Sequence, residues 1–412
     1  MGITREHCAG LDAADALASA RDRFILPAGV IYLDGNSLGP LAKSVAPRLR
    51  QAVEQEWGDG LIRSWNDAGW IDAPRRVARR IAPLIGADAD EVIVADSTSV
   101  NLFKLLAAAL RLKPARRVIL TEADNFPTDL YIMQGIADLS GAEVRYAGPE
   151  PGALMAALDG DVAVLALTHV NYKSGLIHPM RELSAAAHAA GALALWDLSH
   201  SAGSVELDVA QDGADLAAGC GYKYLNGGPG APAYAYVAKR HQAQLRQPLS
   251  GWFGHAQPFA FARDFEPAAG MQRMLSGTPP VLALIALEAA LEAFDGIDLA
   301  ALRRKGRALG DLFIALVDEK LADTAVRVAS PRDAVVRGSQ VSLSHAQGYA
   351  VMQALIARGV IGDFRAPDLM RFGFAPLYLR YVDIFDTVDA LAGVLAGGEW
   401  MRPEFSARKA AT

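Results

Sequence analysis

The sequence predicts an α/β protein: a large domain with a mostly parallel sheet covered by helices on both faces, and a smaller α+β domain beside it. Three observations carry that expectation. From Glu91 to Val237 short apolar runs alternate with alanine- and leucine-rich segments of helical spacing. Val162 to Leu167 is apolar throughout, as befits a strand buried on both faces of a parallel sheet. After Pro280 the pattern changes to long helices separated by shorter strands. The chain has 412 residues, more than one ordinary core accommodates. We expect residues 31–279 to form the large domain, and residues 1–30 with 280–412 the small one.

Taken in order, an opening helix is expected over Leu11 to Arg21. A short strand from Ile31 then runs into Asp34-Gly35-Asn36-Ser37-Leu38-Gly39-Pro40, where Asp-Gly and Gly-Pro mark turns. Trp57, Trp65 and Trp70 crowd one glycine-containing segment and suit either core packing or the wall of an aromatic-binding pocket. The strand Glu91 to Ala95 ends in Asp96-Ser97-Thr98-Ser99, and a helix follows to Leu110. Small polar residues at that junction cap a helix; with the backbone N–H groups and the helix dipole they can equally seat a phosphate.

The strand Arg117 to Thr121 leads through Asp124-Asn125-Phe126 to a helix opened by Pro127. Thr168-His169 follows the long apolar strand, and a helix over Arg181 to Ala190 stops at Gly191. The strand Ala192 to Trp196 ends in Asp197-Leu198-Ser199-His200; Leu216 to Ala218 leads to Lys223, and Ala233 to Val237 is a further strand. In the small domain, helices Val281 to Phe294 and Leu299 to Leu321 precede strands near Val326 and over Gln340 to Leu343. A helix Tyr349 to Arg358, strands Gly359 to Asp363 and Leu369 to Phe374, and a last helix near Asp386 to Leu395 complete it. The polar tail Arg402 to Thr412 is expected to be disordered.

A formal charge of −6 with no basic stripe argues against nucleic acid as a partner. The charged N-terminus lacks the apolar core of a secretory signal, and no run reaches the ~18 apolar residues of a membrane span. Two cysteines, Cys8 and Cys220, offer neither metal spacing nor a disulfide framework. A cytoplasmic protein without a metal is expected, with a small molecule as its substrate.

Chemistry concentrates around Gly219-Cys220-Gly221-Tyr222-Lys223-Tyr224-Leu225-Asn226-Gly227-Gly228-Pro229-Gly230. On its own, Lys223 is either a surface lysine in a Gly/Pro loop or an amine that must lose its proton. In parallel sheets ligands collect at the carboxyl ends of strands, and Ser97-Thr98-Ser99, Thr168, Asp197, His200 and Lys223 all fall there. An amine, a carboxylate at a strand end, a flat stacking face and an anion seat are what pyridoxal phosphate asks of a protein. Lys223 would hold its aldehyde carbon and Asp197 would keep its pyridine nitrogen protonated. Phe126 or His200 would stack on the ring, while Tyr222, Trp252 and Ser99 can reach the phosphate. Read alone, Asp197 also fits a turn or capping aspartate.

Four stretches resemble the kynureninases, in the branch of the aspartate aminotransferase fold that also holds cysteine desulfurases. They are Tyr32-Leu33-Asp34-Gly35-Asn36-Ser37-Leu38-Gly39, Phe126-Pro127-Thr128-Asp129, Gly221 to Gly230, and Gly251-Trp252-Phe253-Gly254-His255. The likeness continues at Gly362-Asp363-Phe364-Arg365 and Arg371-Phe372-Gly373-Phe374-Ala375-Pro376-Leu377-Tyr378. It implies hydrolysis of L-kynurenine, with 3-hydroxykynurenine as a second candidate substrate, to anthranilate and L-alanine by pyridoxal 5'-phosphate-dependent Cβ–Cγ cleavage in tryptophan catabolism. It implies cofactor contacts from Thr98, Ser99, Phe126, Pro127, Thr128, Asp129, Thr168, Asp197, His200, Tyr222, Lys223, Trp252 and Thr278. Many family members have Asn where this chain has Thr278. The resemblance puts the substrate-carboxylate arginine on Arg371, where residues alone suggest a structural ion pair. It gives Lys223 the proton transfer, Tyr222 a proton or a phosphate contact, and Trp65 and Trp252 the walls of the aniline site. It implies a homodimer in which Trp252 or Thr278 reaches the partner's cofactor. Among rivals, a desulfurase needs a nucleophilic cysteine well downstream of the lysine, and none follows Cys220; an aminotransferase stays open.

Overall fold

A computed structural model describes residues 2–409 of the chain. Seven strands make the main sheet: β1 (Val92–Val94), β2 (Val118–Glu122), β3 (Glu143–Ala147), β4 (Val162–Thr168), β5 (Leu193–Asp197), β6 (Leu216–Gly219) and β7 (Tyr234–Val237). Their order across the sheet is β1-β7-β6-β5-β4-β2-β3. Only β7 breaks the parallel arrangement, running antiparallel to both β1 and β6. Every residue of β4, β5, β6 and β7 is buried.

Alternation along the strands builds a core on each face. Val92, Val94, Leu165, Leu167, Ala194, Trp196 and Ala217 point to one side, where Leu183 of the helix Met180–Ala189 and Leu284 and Leu287 of the helix Val281–Ala290 cover them. Ile93, Val164, Ala166, Leu193, Leu195 and Ala218 point to the other, against Leu102, Leu105 and Leu106 of the helix Thr98–Leu112. Trp196 is fully buried, and its indole N–H donates to Ser184 Oγ at 3.2 Å. Truncating it to Ala would cost about 3–5 kcal/mol.

The second sheet has four antiparallel strands, β8 (Arg327–Val328), β9 (Gln340–Ser344), β10 (Asp363–Arg365) and β11 (Leu369–Gly373), in the order β8-β9-β11-β10. The helix Leu299–Lys320 packs on it through Phe313, whose ring lies 5.0 Å from Phe372 and 5.3 Å from Phe374. Ile31–Tyr32 pairs in parallel with Val360–Ile361, which brings the Asp34–Gly39 turn to the second sheet.

Local chemistry moves several boundaries. The first helix is Arg5–Ala13 rather than Leu11 to Arg21, because the Thr4 hydroxyl caps it by accepting from His7 N at 3.2 Å; a 3-10 turn follows over Ala18–Arg23. Gly359 to Asp363 is not one strand: Val360–Ile361 pairs with Ile31–Tyr32, while Asp363–Arg365 pairs with β11. The helix expected near Asp386 to Leu395 runs Tyr381–Gly397, started early by Asp383, which accepts from Arg380 N at 2.9 Å. The edge strand β3 has no fully buried residue and no apolar run, so periodicity alone passes over it. The tail is ordered through Lys409: a short helix at Pro403–Ser406 is followed by two contacts to Tyr349, whose Oη donates to Ala407 O at 3.0 Å and accepts from Lys409 N at 2.9 Å. Residues 410–412 of the expected tail lie outside the described residues. Among the described residues, no helix is long and apolar enough to cross a membrane.

Candidate active site

Five loops leave the carboxyl ends of β1, β2, β4, β5 and β6 on one edge of the sheet, and the candidate residues ride on them. After β1, Asp96 adopts a φ of 48°, and Ser97 caps the helix Thr98–Leu112 by accepting from Val100 N at 3.3 Å. Asp96 is tied down by Lys104, fully buried one helical stretch later: the ammonium donates to Asp96 at 2.5 Å and to Met274 O at 2.7 Å. First-turn N–H groups have no helical acceptor. Thr98 Oγ1 is buried among them without a partner. Donors and dipole thus face one point, the physical definition of an anion seat.

At the end of β5, Asp197 is buried, and its Oδ1 accepts from Ser199 N at 2.8 Å and Ser199 Oγ at 2.6 Å. Burial pushes its pKa up, while Lys223 and Ser199 pull it back. Asp129, in the first turn of the helix Pro127–Ser140, meets it carboxyl to carboxyl. Burial above all, and then Asp197, pushes Asp129 well above the usual carboxylate range. Two carboxyls this close share one proton. Asp129 keeps it and donates to Asp197, which remains the anion beside Lys223. Thr168 stands opposite Asp197 on β4, its hydroxyl buried and unpartnered.

His200 is buried three residues beyond Asp197. Gln340 on β9 donates its amide to Tyr172 O at 3.1 Å, so its Oε1 faces His200 Nδ1 at 3.1 Å and the imidazole proton sits on Nδ1. Burial, then Lys223 and Arg371, push the imidazole pKa well down and keep the ring neutral, with Nε2 as an acceptor. Lys223 is half-buried, its ammonium 5.8 Å from the centroid of Phe126, which packs edge-on against Tyr172 at 5.1 Å. Asn226 closes the lysine loop at a φ of 60°, its N–H donating to Lys223 O at 2.9 Å. The Asp34–Gly39 turn lies directly on that loop: Gly39 N donates to Tyr222 O at 2.8 Å, and a Cβ on Gly39 would stand 2.4 Å from Lys223 O. Only glycine permits that approach. Burial raises the Tyr222 phenol above its usual pKa and keeps it a donor.

Arg371 is buried on β11. Its Nε donates to Asp363 Oδ1 at 2.7 Å; Nη2 donates to the other Asp363 oxygen and to Ser37 Oγ at 3.2 Å; Nη1 donates to Tyr172 O at 2.5 Å. Ser37, Asp363 and Gln340 were not singled out from sequence. Ser37 and Asp363 sit inside the resembling stretches, but nothing in their spacing marks them, and Gln340 reads as an ordinary strand residue. Trp65 packs between Trp70 and Phe253, 6.0 Å from each. Trp252 stacks edge-on to Phe253 at 4.9 Å and is 37% exposed; Thr278 is exposed. No hydrogen bond or ring contact among the described residues joins these three to the lysine loop.

The set fits pyridoxal phosphate: an anion seat with a spare hydroxyl at Thr98, a carboxyl pair holding one proton, an aromatic face at Phe126, and an amine. Fold and site together define a pyridoxal phosphate enzyme of the aspartate aminotransferase fold. Solved structures agree on the fold. The chain resembles a cysteine desulfurase from Thermococcus onnurineus (TM-score 0.77, 19% identity, 92% of this chain and 98% of that one). A cysteine desulfurase from Escherichia coli is similar (TM-score 0.78, 21% identity, 92% and 98% covered). So is a C-DES variant with glycine covalently linked to its PLP cofactor (TM-score 0.77, 18% identity, 90% and 98% covered). In sequence, kynureninase from Burkholderia mallei is 52% identical over 99% of this chain and all of that protein. Kynureninase from Pseudomonas fluorescens is 51% identical over the same shares. Residues 302–391 match the family model for the kynureninase C-terminal domain. The chain belongs to the kynureninase family.

Proposed function

We propose that this chain hydrolyses L-kynurenine to anthranilate and L-alanine in tryptophan catabolism. The observation that carries the reading is full-length identity of 52% to kynureninases, over a chain that keeps a lysine, a strand-end carboxylate and an anion seat on one sheet edge.

Pyridoxal phosphate, when bound, supplies an electron sink next to the substrate Cα. Thr98 and Ser99 would hold its phosphate with Tyr222, Thr168 and Asp197 its ring edge, Phe126 to Asp129 and His200 its faces, and Lys223 its carbonyl carbon. Asp197, kept anionic by the proton on Asp129, matches a protonated ring nitrogen. Lys223, displaced by the substrate amine, takes the Cα proton as a general base. Water adds to the Cγ ketone; the Cβ–Cγ bond then breaks, Cβ gains a proton and leaves in alanine, and Cγ keeps the water oxygen as the anthranilate carboxylate. The Tyr222 phenol serves either that proton or the phosphate. Arg371 receives the α-carboxylate through the one N–H that Asp363, Ser37 and Tyr172 leave unspent.

The packing of Trp65 on Trp70 and Phe253 supports an apolar aniline site and a preference for kynurenine over its 3-hydroxy derivative. Exposed Trp57, Leu61, Ile62, Phe259 and Phe261 support a homodimer in which Trp252 or Thr278 reaches the partner's cofactor. A cytoplasmic location and the division into residues 31–279 and residues 1–30 with 280–412 belong to the same reading. Incubating the purified, cofactor-loaded protein with kynurenine tests it: anthranilate and alanine should form without any oxo-acid acceptor, and Lys223→Ala should lose both turnover and the visible absorbance of bound cofactor. No anthranilate from the native chain would sink the reading.

A further inference from the structure

Asp363 sits at the centre of a small charged cluster on the second sheet, and it serves two arginines. Arg371 faces it across the strand pair β10–β11, in direct register. Arg365 lies two residues along β10, and a strand period of two turns both side chains to the same face. Its Nη2 stands 2.7 Å from Asp363 Oδ2, the oxygen that Arg371 Nη2 and Ser37 Oγ also use. Burial works against the Asp363 anion, but the hydrogen bonds and charge of Arg371 outweigh it and hold the carboxyl below its usual range.

A guanidinium has five N–H donors. Arg371 already spends four of them, two on Asp363 and one each on Ser37 and Tyr172 O. Its charge is matched by Asp363, so Arg371 and Asp363 together present a neutral pair with one donor left. Asp34, on the turn that carries Ser37, adds a second carboxyl to the neighbourhood. A substrate carboxylate entering such a site gains orientation from Arg371 but little net attraction. With two arginines on one Asp363 carboxylate, Arg365 brings a positive charge that the Arg371–Asp363 pair leaves unmatched. Its side chain is 36% exposed, while Tyr172 and His200 both lie within its field.

We infer that Arg365 is a positioning residue for the substrate's α-carboxylate, supplying the net positive charge while Arg371 supplies its one unspent N–H. The inference rests on the reading of Arg371 given above. It assigns distinct tasks to the two arginines: orientation on β11, attraction on β10. Asp363 couples them: it holds the Arg371 plane by two hydrogen bonds and pairs with Arg365 Nη2 through one oxygen.

The test uses cofactor-saturated protein and kynurenine, with kcat and KM measured separately for R365Q, R365M, R365K and R371Q. Both neutral variants at 365 should raise KM about 10-fold or more with kcat within about 3-fold, since the lost interaction is made equally in ground and transition states. R365K keeps the charge and should bring KM back to within about 3-fold of native. A purely structural arginine would instead show lowered thermal stability with KM unmoved, or equal damage from Lys and Gln; either result overturns the inference. R371Q separates the two layers: if it leaves KM unchanged, the carboxylate reading of Arg371 falls, whereas a raised KM in R371Q with native KM in R365Q and R365M removes Arg365 alone.

Discussion

Asp129 and Asp197 come from the ends of different strands and meet with their carboxyl groups in hydrogen-bonding contact beside Lys223. The pair behaves as one acid and one base. Removing the base should be severe: Asp197→Asn leaves no anion opposite a ring nitrogen, and kcat should fall by about 10³ or more. Asp129→Asn keeps a neutral donor to Asp197, so its kcat should stay within about 10-fold of native. Rates of anthranilate release from both variants check this, and equal losses would contradict the division of roles.

Asp34 gives the site a pH dependence. Burial first, and the Asp363 charge second, push its carboxyl up to about 7. Facing it are Arg371, Arg365, Ser37, Tyr32, Tyr224 and Tyr378. As pH rises through about 7 the carboxyl ionises, and a cluster holding two arginines and Asp363 falls from net +1 to neutral. KM for a carboxylate substrate should therefore rise above neutrality, and Asp34→Asn should flatten that rise. Stability follows the same sign: a folded-state pKa above the unfolded value means the folded chain holds its proton longer, so stability is lost as pH climbs from the ordinary aspartate range towards 7. Melting curves of native and D34N protein between pH 5 and 8 would expose a wrong assignment if they ran parallel.

Cys220 directly precedes the lysine loop, yet its thiol is buried and burial pushes its pKa up. A thiol so placed is a poor nucleophile. Cys220→Ala should keep kcat/KM for kynurenine within about 3-fold, the scale of a small packing change. A loss of activity beyond 100-fold would bring the cysteine into the mechanism.

Lys104 couples stability to the anion seat. Fully buried, it holds Asp96 in a left-handed conformation just before the Ser97 cap. Lys104→Ala should cost about 1–3 kcal/mol, the scale for leaving the buried Met274 carbonyl without its donor. It should also weaken pyridoxal phosphate binding, because the capped first turn loses its anchor. Denaturant titration of the apo protein and a cofactor titration give the two numbers. A destabilised variant with native cofactor affinity would separate the seat from its support.

Much of the fold was legible because buried parallel strands announce themselves. β4 is seven consecutive buried residues, and β5 and β6 are equally plain. β3 was missed since an edge strand with Glu143 and Tyr146 exposed carries no such run. In the site, Lys223, Asp197 and the Ser97–Ser99 cap stood out by residue type at strand ends. Ser37, Asp363 and Gln340 did not, because their importance lies in contacts to residues more than a hundred positions away, save for the Asp363–Arg371 pair, which depends on cross-strand register. Asp129 was placed by family likeness alone; its meeting with Asp197 is a matter of loop geometry that spacing does not encode.

The antiparallel strand β7 has a temporal consequence. It enters the sheet between β1 and β6, so the strand that leads to the anion seat and the strand that leads to Lys223 become neighbours only through a segment ending at Val237. During synthesis, a ribosome that has released only β1 to β6 has made directly paired strands that align Thr168, Asp197 and His200, while the Ser97–Ser99 seat still lacks the strand that joins β1 to β6. The anion seat is thus the last part of the candidate site that the sheet can place.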